Sequence, residues 1–175
     1  MFFIITKIKH CSLVILLSLH QIIQKVKRYC SYQERSCYEV LQKLYGYGLQ
    51  KSQIDEIIEQ LTTENYLNEE KFAIVFASGK FRMKHWGRIK IKHALQQKKV
   101  SNYNIQTALD AIVEEDYLSV LQKLTTKKWR QLKSETFITK KAKTQFYLLQ
   151  KGYEKHLIKN ALDTAILQER QSSIS

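Results

Sequence analysis

Two tryptophans of this chain stand inside clusters of basic residues, a combination that suits contact with an anionic partner. Trp86 lies in the run Lys-His-Trp-Gly-Arg at 84–88, and Trp129 lies in the run Lys-Lys-Trp-Arg at 127–130. Cationic side chains can hold phosphates while a neighbouring aromatic ring stacks on a base. A tryptophan at a helix junction can equally be a structural plug, and the sequence leaves both interpretations open.

Basic residues concentrate in the same two parts of the chain. Residues 79–99 hold eight Lys or Arg and no acid, and residues 122–143 hold eight against the single acid Glu135. The formal net charge of +13 favours an anionic partner, usually nucleic acid. The alternative, that lysine merely keeps the protein soluble, explains this clustering less well. The candidate contact residues are Lys80, Arg82, Lys84, Trp86, Arg88, Lys90, Lys92, Lys127, Lys128, Trp129 and Arg130.

The chain lacks the spacings that catalysis or cofactor binding usually requires. Its five glycines are dispersed, and none forms the phosphate-binding patterns GxxxxGK[ST] or GxGxxG. No Ser or Cys stands in a recognisable nucleophile motif. The three cysteines, Cys11, Cys30 and Cys37, have no CxxC spacing and indicate neither a disulfide framework nor a zinc site. The sequence therefore predicts a protein that is not an enzyme, with no catalytic residues, no cofactor and no metal.

The elements that must position the basic clusters repeat at a spacing of about fifty residues. Leu44, Leu95 and Leu148 occupy the same place in three similar patterns, and an isoleucine follows each by ten positions. The first two copies also share a Glu-Asn/Asp-Tyr-Leu stretch, at 64–67 and at 115–118. Proline is absent and glycine is scarce, so the turn signals of a strand-rich fold are missing. We expect an all-α fold, in which tandem three-helix repeats form an elongated, curved array.

The periodicity divides the chain into five segments. Residues 1–24 form an N-terminal segment whose status stays open, 25–87 the first repeat, 88–139 the second, 140–167 a partial third repeat of two helices, and 168–175 a frayed tail. The first twenty residues are open to three interpretations: an N-terminal helix or upstream translated sequence outside the domain, a helix packed on the first repeat, or a signal or anchor. We expect their removal to leave the fold intact, because the repeats begin after them.

Apolar spacing and capping signals predict where individual helices lie. One continuous helical pattern runs over residues 21–44, and Ser-x-x-Asp at 52–55 suggests a capping box for the next helix. In the first basic cluster, Lys84, Arg88 and Lys92 lie four residues apart and form one ridge if their segment is helical.

Several short motifs, in order along the repeats, carry a resemblance to a known family. Residues 66–73 read Tyr-Leu-Asn-Glu-Glu-Lys-Phe-Ala, and they are followed by Lys-Phe-Arg at 80–82, Trp-Gly-Arg-Ile at 86–89 and Leu-Gln-Gln-Lys at 95–98. Phe-Tyr-Leu-Leu-Gln-Lys-Gly-Tyr at 146–153 adds a motif similar to that family's C-terminal repeat. This series resembles the signature of the RecX family.

The resemblance covers roughly residues 25–167, and it departs from the family pattern at Lys99, where glycine is usual. It implies an array of three-helix units that lodges in the helical groove of the RecA–DNA filament and generally depresses RecA's ATPase and strand-exchange activity. The implied partners are the RecA filament and, weakly and electrostatically, single- and double-stranded DNA. The resemblance also implies a cytoplasmic monomer with no membrane partner and a role in DNA repair and the SOS response. The alternative from the residues alone is a stand-alone basic helical-repeat protein that binds nucleic acid.

Overall fold

The computed structural model describes residues 18–172, and every regular element in that range is an α-helix. This agrees with the all-α repeat array expected from the sequence. The helices are α1 (Leu19–Tyr32), α2 (Cys37–Tyr45), α3 (Lys51–Thr63), α4 (Glu69–Lys84), α5 (Arg88–Gln97), α6 (Asn102–Asp110), α7 (Glu114–Gln131), α8 (Phe137–Lys151) and α9 (Lys155–Ser172). The most extensive packing joins α4 with α6 and α7 with α9.

The continuous helix predicted over 21–44 is wrong, because the helical backbone is interrupted between α1 and α2. Ser36 caps α2: its hydroxyl accepts the amide N–H of Glu39 at 3.2 Å, and its own N–H donates to the Glu39 carboxylate at 3.1 Å. This reciprocal capping box satisfies two amides and starts a new helix. The box predicted at 52–55 is also displaced, since α3 begins earlier and Gln53 accepts the N–H of Gln50 at 3.0 Å.

The N-terminal segment, with the three interpretations attached to it, lies mostly outside the described residues. Ser18 caps α1: its hydroxyl accepts the N–H of Gln21 at 3.3 Å, while the Gln21 side chain accepts the N–H of Ser18 at 3.0 Å. A deletion through residue 20 would therefore remove the cap of α1 as well as the preceding segment. The first helix belongs to the folded body from residue 19 onward.

The repeated leucines lie at equivalent places in the fold, as the sequence predicts. Leu44, Leu95 and Leu148 sit in α2, α5 and α8 and are each 0% exposed. The isoleucines ten positions later are buried in α3, α6 and α9. The Glu-Asn/Asp-Tyr-Leu stretches that follow in the first two copies, however, are similar in sequence but differ in structure. Residues 64–67 form the turn after α3, whereas 115–118 lie inside α7.

The buried side chains of residues 18–172 form two separate cores. One core joins α1, α2 and α3 and is closed by Leu67, which precedes α4. The other is shared by α4 through α9, so these six helices fold around one apolar interior. The first three helices are therefore a body of their own, here called the first unit, joined to a larger six-helix body.

The six-helix body has two halves, α4–α6 and α7–α9, and two glycines bring these halves into backbone contact. The N–H of Gly87 donates to the carbonyl of Lys151 at 2.8 Å, and the N–H of Ile89 donates to the carbonyl of Gly152 at 3.1 Å. A Cβ on Gly87 would lie 2.2 Å from the Gly152 oxygen. Gly152 has φ 89°, and a Cβ there would lie 2.3 Å from Cβ of Lys90. No side chain fits at either position.

A stack of aromatic rings fills the interior beside this glycine contact. The ring centroid of Tyr117 lies 5.7 Å from that of Phe81 and 5.1 Å from that of Tyr153. The Tyr117 hydroxyl accepts the N–H of Arg88 at 3.0 Å and donates to the carboxylate of Glu154 at 2.7 Å. Burial raises the pKa of Tyr117, so its hydroxyl stays protonated and keeps donating. One tyrosine thus links α5, α7 and the start of α9.

We expect Leu44→Ala, Leu95→Ala and Leu148→Ala each to lower the free energy of unfolding by about 2–5 kcal/mol, because each leaves a cavity at a fully buried site. Urea denaturation followed by circular dichroism measures this. Leu167→Ala, at a position 56% exposed on α9, is the matched control and should change stability by less than about 0.5 kcal/mol. Parent-like stability in all three buried variants would contradict their equivalence in the repeats.

We also expect Gly87→Ala and Gly152→Ala to be strongly destabilising, each by more than about 1 kcal/mol, since the new methyl group meets backbone or Lys90 Cβ. Gly79→Ala is the control: it lies inside α4 with open space where a Cβ would stand, and alanine there should stabilise the helix by roughly 0.5–1 kcal/mol. Thermal melts of the three variants give the comparison. Similar melting temperatures for Gly87→Ala and Gly79→Ala would show that the close approach is dispensable.

Candidate functional site

The first basic cluster bends around a turn instead of following one helix. His85 ends α4 in the left-handed conformation, with φ 53°, and Gly87 is the N-cap of α5. Lys84 therefore closes one helix while Arg88 and Lys92 belong to the next. The single ridge that these three residues would make on a continuous helix does not form. Their charges are spread around the α4–α5 corner.

Trp86 lies at the centre of that corner and is half-buried against the six-helix core. The ammonium of Lys80 lies 5.2 Å from the centroid of its ring, and that of Lys90 lies 4.9 Å away. Lys80 also stands 5.1 Å from the ring of Phe76. These are cation–π distances, so two lysines from different helices are held beside one indole. Trp86 thus packs on the core and holds two lysines beside its ring, while its contact with a partner stays a prediction.

Arg88 is tied into the fold more tightly than its neighbours. Its guanidinium Nη2 lies 2.6 Å from the carboxylate of Glu114, and its Cζ lies 4.2 Å from the centroid of the Tyr117 ring. Burial alone would lower the pKa of Arg88, but the hydrogen bond and charge of Glu114 outweigh it, so the pKa is raised. The Arg88 side chain reaches from α5 to α7, and its positive charge is paired with Glu114. The neighbouring Arg82, Lys84 and Lys92 are exposed instead.

Two further lysines near this corner bind backbone carbonyls across the glycine contact. Lys90 Nζ donates to the carbonyl of Gln150 at 3.1 Å, and Lys151 Nζ donates to the carbonyl of Lys84 at 3.1 Å. Both bonds cross between the α4–α5 corner and the end of α8. The positive charge of the corner is therefore held in place by the same contact that joins the two halves of the body.

Trp129, unlike Trp86, is fully buried. Trp129 is 2% exposed, and its indole N–H donates to the carboxylate of Glu169 at 2.7 Å. Lys140 covers the ring at 4.3 Å and pairs with the same carboxylate at 2.6 Å. Hydrogen bonds from Lys140 and Trp129 lower the pKa of Glu169. Trp129 is thus the structural plug, and its ring offers no face to a base.

The rest of the second cluster forms a basic face on α7, here called the α7 face. Lys127 and Arg130 are exposed, whereas Lys128 is half-buried with its ammonium 5.6 Å from the ring of Tyr147. Lys123 completes the exposed face and was missed as a contact candidate. The spacing 123, 127, 130 is the helical signal that could have found it. These three side chains border a shallow depression with Gln122, Thr126 and Gln168.

A groove between the first unit and the six-helix body also escaped the sequence analysis. It has a volume of about 690 Å³, and we call it the inter-unit groove. An ion pair crosses at each of two places, Lys98 with Glu39 at 2.7 Å and Lys71 with Glu34 at 2.6 Å. The apolar side chains that line it are Tyr38, Phe72, Val75, Phe76, Trp86 and Ala94.

Within residues 18–172, no group of three or more His, Cys, Asp or Glu side chains is arranged to hold a metal ion. None of the helices in that range combines the length and apolar character needed to cross a bilayer. Cys30 is buried, which raises the pKa of its thiol to about 11.

Comparison with known proteins identifies the same helices. The family model of the second three-helix domain of RecX matches residues 68–109, which span α4 to α6. That of the third three-helix domain matches residues 114–162, from α7 into α9. The boundaries differ from those of the predicted repeats. The matched domains begin at residues 68 and 114, whereas the second and third predicted repeats begin at 88 and 140.

Individual relatives agree with the family models. Regulatory protein RecX of Lactobacillus johnsonii is 34% identical over 102 residues, which is 58% of this chain and 38% of the relative. That of Bacillus cereus is 26% identical over 135 residues, 77% of this chain and 50% of the relative. The chain thus matches half or less of the length of these relatives.

The fold is also that of a solved structure. The crystal structure of RecX from Lactobacillus salivarius superposes with a TM-score of 0.78 at 22% sequence identity, covering 85% of this chain and 97% of that one. At that identity the likeness shows the fold alone. The two matched domain models together cover more than half of the sequence, and the chain belongs to the RecX family.

Proposed function

We propose that this protein binds the RecA–DNA filament and lowers RecA's ATPase and strand-exchange activity. The observation that carries the proposal is that the two matched RecX domains are the six helices α4–α9, which share one core and hold both basic clusters. The relatives' name, regulatory protein RecX, is the basis for choosing RecA as the partner.

Electrostatics supports weak contact with the DNA of the filament. The formal net charge of +13 attracts a polyanion at long range, and the exposed Arg82, Lys84 and Lys92 surround the α4–α5 corner. Contacts of this kind go to phosphates and carry no sequence information. DNA would then help to recruit the protein, while recognition of RecA gives specificity.

The α7 face favours a second candidate function, binding to nucleic acid without RecA. Lys123, Lys127 and Arg130 project from one side of a helix, and no acid stands between them in the sequence. Such a stripe can follow a phosphate backbone by itself. The two functions share a basic surface and differ in whether RecA is required.

RecA's single-strand-dependent ATPase separates the two functions. We expect this protein to lower the hydrolysis rate at concentrations below that of RecA, with DNA in excess, because it acts on the filament. A basic protein of unrelated fold, such as hen lysozyme, controls for simple competition for DNA. A stand-alone nucleic-acid-binding protein would leave the rate unchanged until it covered the DNA, and that outcome would contradict the proposal.

The contribution of the α7 face to DNA binding can be measured from how the affinity depends on salt concentration. Replacing Lys123, Lys127 and Arg130 together by Ala should weaken DNA binding and reduce the slope of log affinity against log salt, by about 0.9 for each lost duplex phosphate contact or about 0.7 on single strands. The slope is obtained from fluorescence anisotropy at several salt concentrations.

The matched control for that variant removes the same charge from dispersed places. Lys25, Lys51 and Lys159 are exposed on α1, α3 and α9, and their replacement by Ala should leave most of the slope intact. Equal slopes for the two triple variants would mean that total charge governs DNA binding and that the α7 face has no special part in it.

A further inference from the structure

The inter-unit groove combines an apolar floor with walls from two independent bodies. Tyr38 comes from the first unit, while Phe72, Phe76 and Trp86 come from the six-helix body. Phe72 and Phe76 are in ring contact, with centroids 5.7 Å apart. Val75 stands at the groove and is 51% exposed, so an apolar surface faces solvent there. A groove of about 690 Å³ lies in the size range of sites that take up side chains or small ligands.

Two acids, Glu34 and Glu39, and two lysines, Lys80 and Lys98, line the groove, so its formal charges balance. The carboxylate of Glu39 is paired with Lys98, and Glu34 is paired with Lys71. Burial alone would raise the pKa of Glu39, but hydrogen bonds from Lys98 and from Ser36 outweigh it, and the pKa is lowered. Lys80 also lines the groove, and within residues 18–172 no carboxylate pairs with it. Its ammonium is held over the rings of Phe76 and Trp86 and is available to an acidic ligand.

The same contacts favour a protein segment over a nucleic acid in this groove. A base stacks on an open ring face, but Lys80 and Lys90 already stand over Trp86, and Lys80 and Lys98 over Phe76. A phosphate backbone would also run past the carboxylates of the opposite wall. A peptide can instead place an apolar side chain on the floor and one carboxylate at Lys80. Apolar anchors of this kind carry most of the energy in protein interfaces.

We infer that the inter-unit groove is the docking site for an extended segment of a protein partner, one that carries an aromatic or aliphatic side chain beside a carboxylate. The inference rests on the proposed function, in which that partner is RecA in its filament. Because the groove has one wall from each body, the segment would bridge the two cores. Its binding would therefore hold the first unit against the six-helix body, where two partly exposed ion pairs now cross.

Two substitutions test the groove without touching either core. Val75→Glu adds a carboxylate on the floor, and Lys80→Glu reverses the charge that would receive the partner's acid. Both should raise the protein concentration needed for half-maximal inhibition of RecA ATPase by roughly ten-fold or more. Lys159→Glu makes the same charge reversal on the exposed side of α9 and should match the parent. Circular dichroism melts check that each variant is folded.

A photo-crosslink identifies the occupant directly. With p-benzoylphenylalanine in place of Val75, irradiation on purified RecA–single-stranded DNA filaments should attach the groove to a RecA peptide that contains an apolar residue next to Asp or Glu. The same group in place of Lys159 is the control and should give no such adduct. An adduct to DNA, or the absence of a RecA adduct above the control level, would overturn the inference.

The outcomes separate the groove from the proposed function. If the parent lowers RecA ATPase and both groove variants inhibit as well as the parent, the groove is not the docking site and the proposed function stands. If the parent leaves the ATPase unchanged but its groove crosslinks to RecA, the modulation is refuted and the docking site is supported. A parent that neither inhibits nor crosslinks overturns both.

Discussion

The fold of the six-helix body depends on one close approach of two backbones, at Gly87 and Gly152. Hydrogen bonds from the amides of Gly87 and Ile89 to the carbonyls of Lys151 and Gly152, at the end of α8, require that neither glycine carry a side chain. Once the chains meet there, Tyr117 can bond both Arg88 and Glu154, and two lysines can each find a carbonyl on the opposite side. The hydrogen bonds of Tyr117 and the two lysine–carbonyl bonds therefore lie around that contact.

The first unit obeys a different constraint, because it has its own core. Leu44 packs with α1–α3, and Leu67 closes that interior before α4 begins. Charged pairs, Lys98 with Glu39 and Lys71 with Glu34, join it to the six-helix body. Ion pairs that water can reach contribute little to stability and weaken with salt. Within residues 18–172, backbone hydrogen bonds join the halves of the six-helix body, whereas ion pairs reach across to the first unit, and the inter-unit groove lies at that second junction.

The two tryptophans show how context decides the role of one residue type. Both stand among basic residues in the sequence, yet Trp86 sits at a helix corner and Trp129 sits in the last turn of α7, on its buried side. The corner leaves Trp86 half-buried with Lys80 and Lys90 beside it. Trp129 is sealed by α8 and α9, through Lys140 and Glu169. The basic residues around the two tryptophans are alike in the sequence. Only the packing of other helices makes Trp129 buried and leaves Trp86 half-buried.

The sequence by itself determined the helical class, the equivalence of Leu44, Leu95 and Leu148, and the location of the basic clusters, because apolar period and charge are local properties of the chain. It missed the break at Ser36, since a capping box interrupts an apolar pattern that continues on both sides. Only the tertiary structure decided that Arg88 is paired with Glu114, that Trp129 is buried, and that Glu39 faces Lys98 across a groove. The two ion pairs join residues 26 and 59 positions apart, and the Trp129 indole bonds a carboxylate 40 positions away. No local pattern specifies which distant helix comes to lie against which.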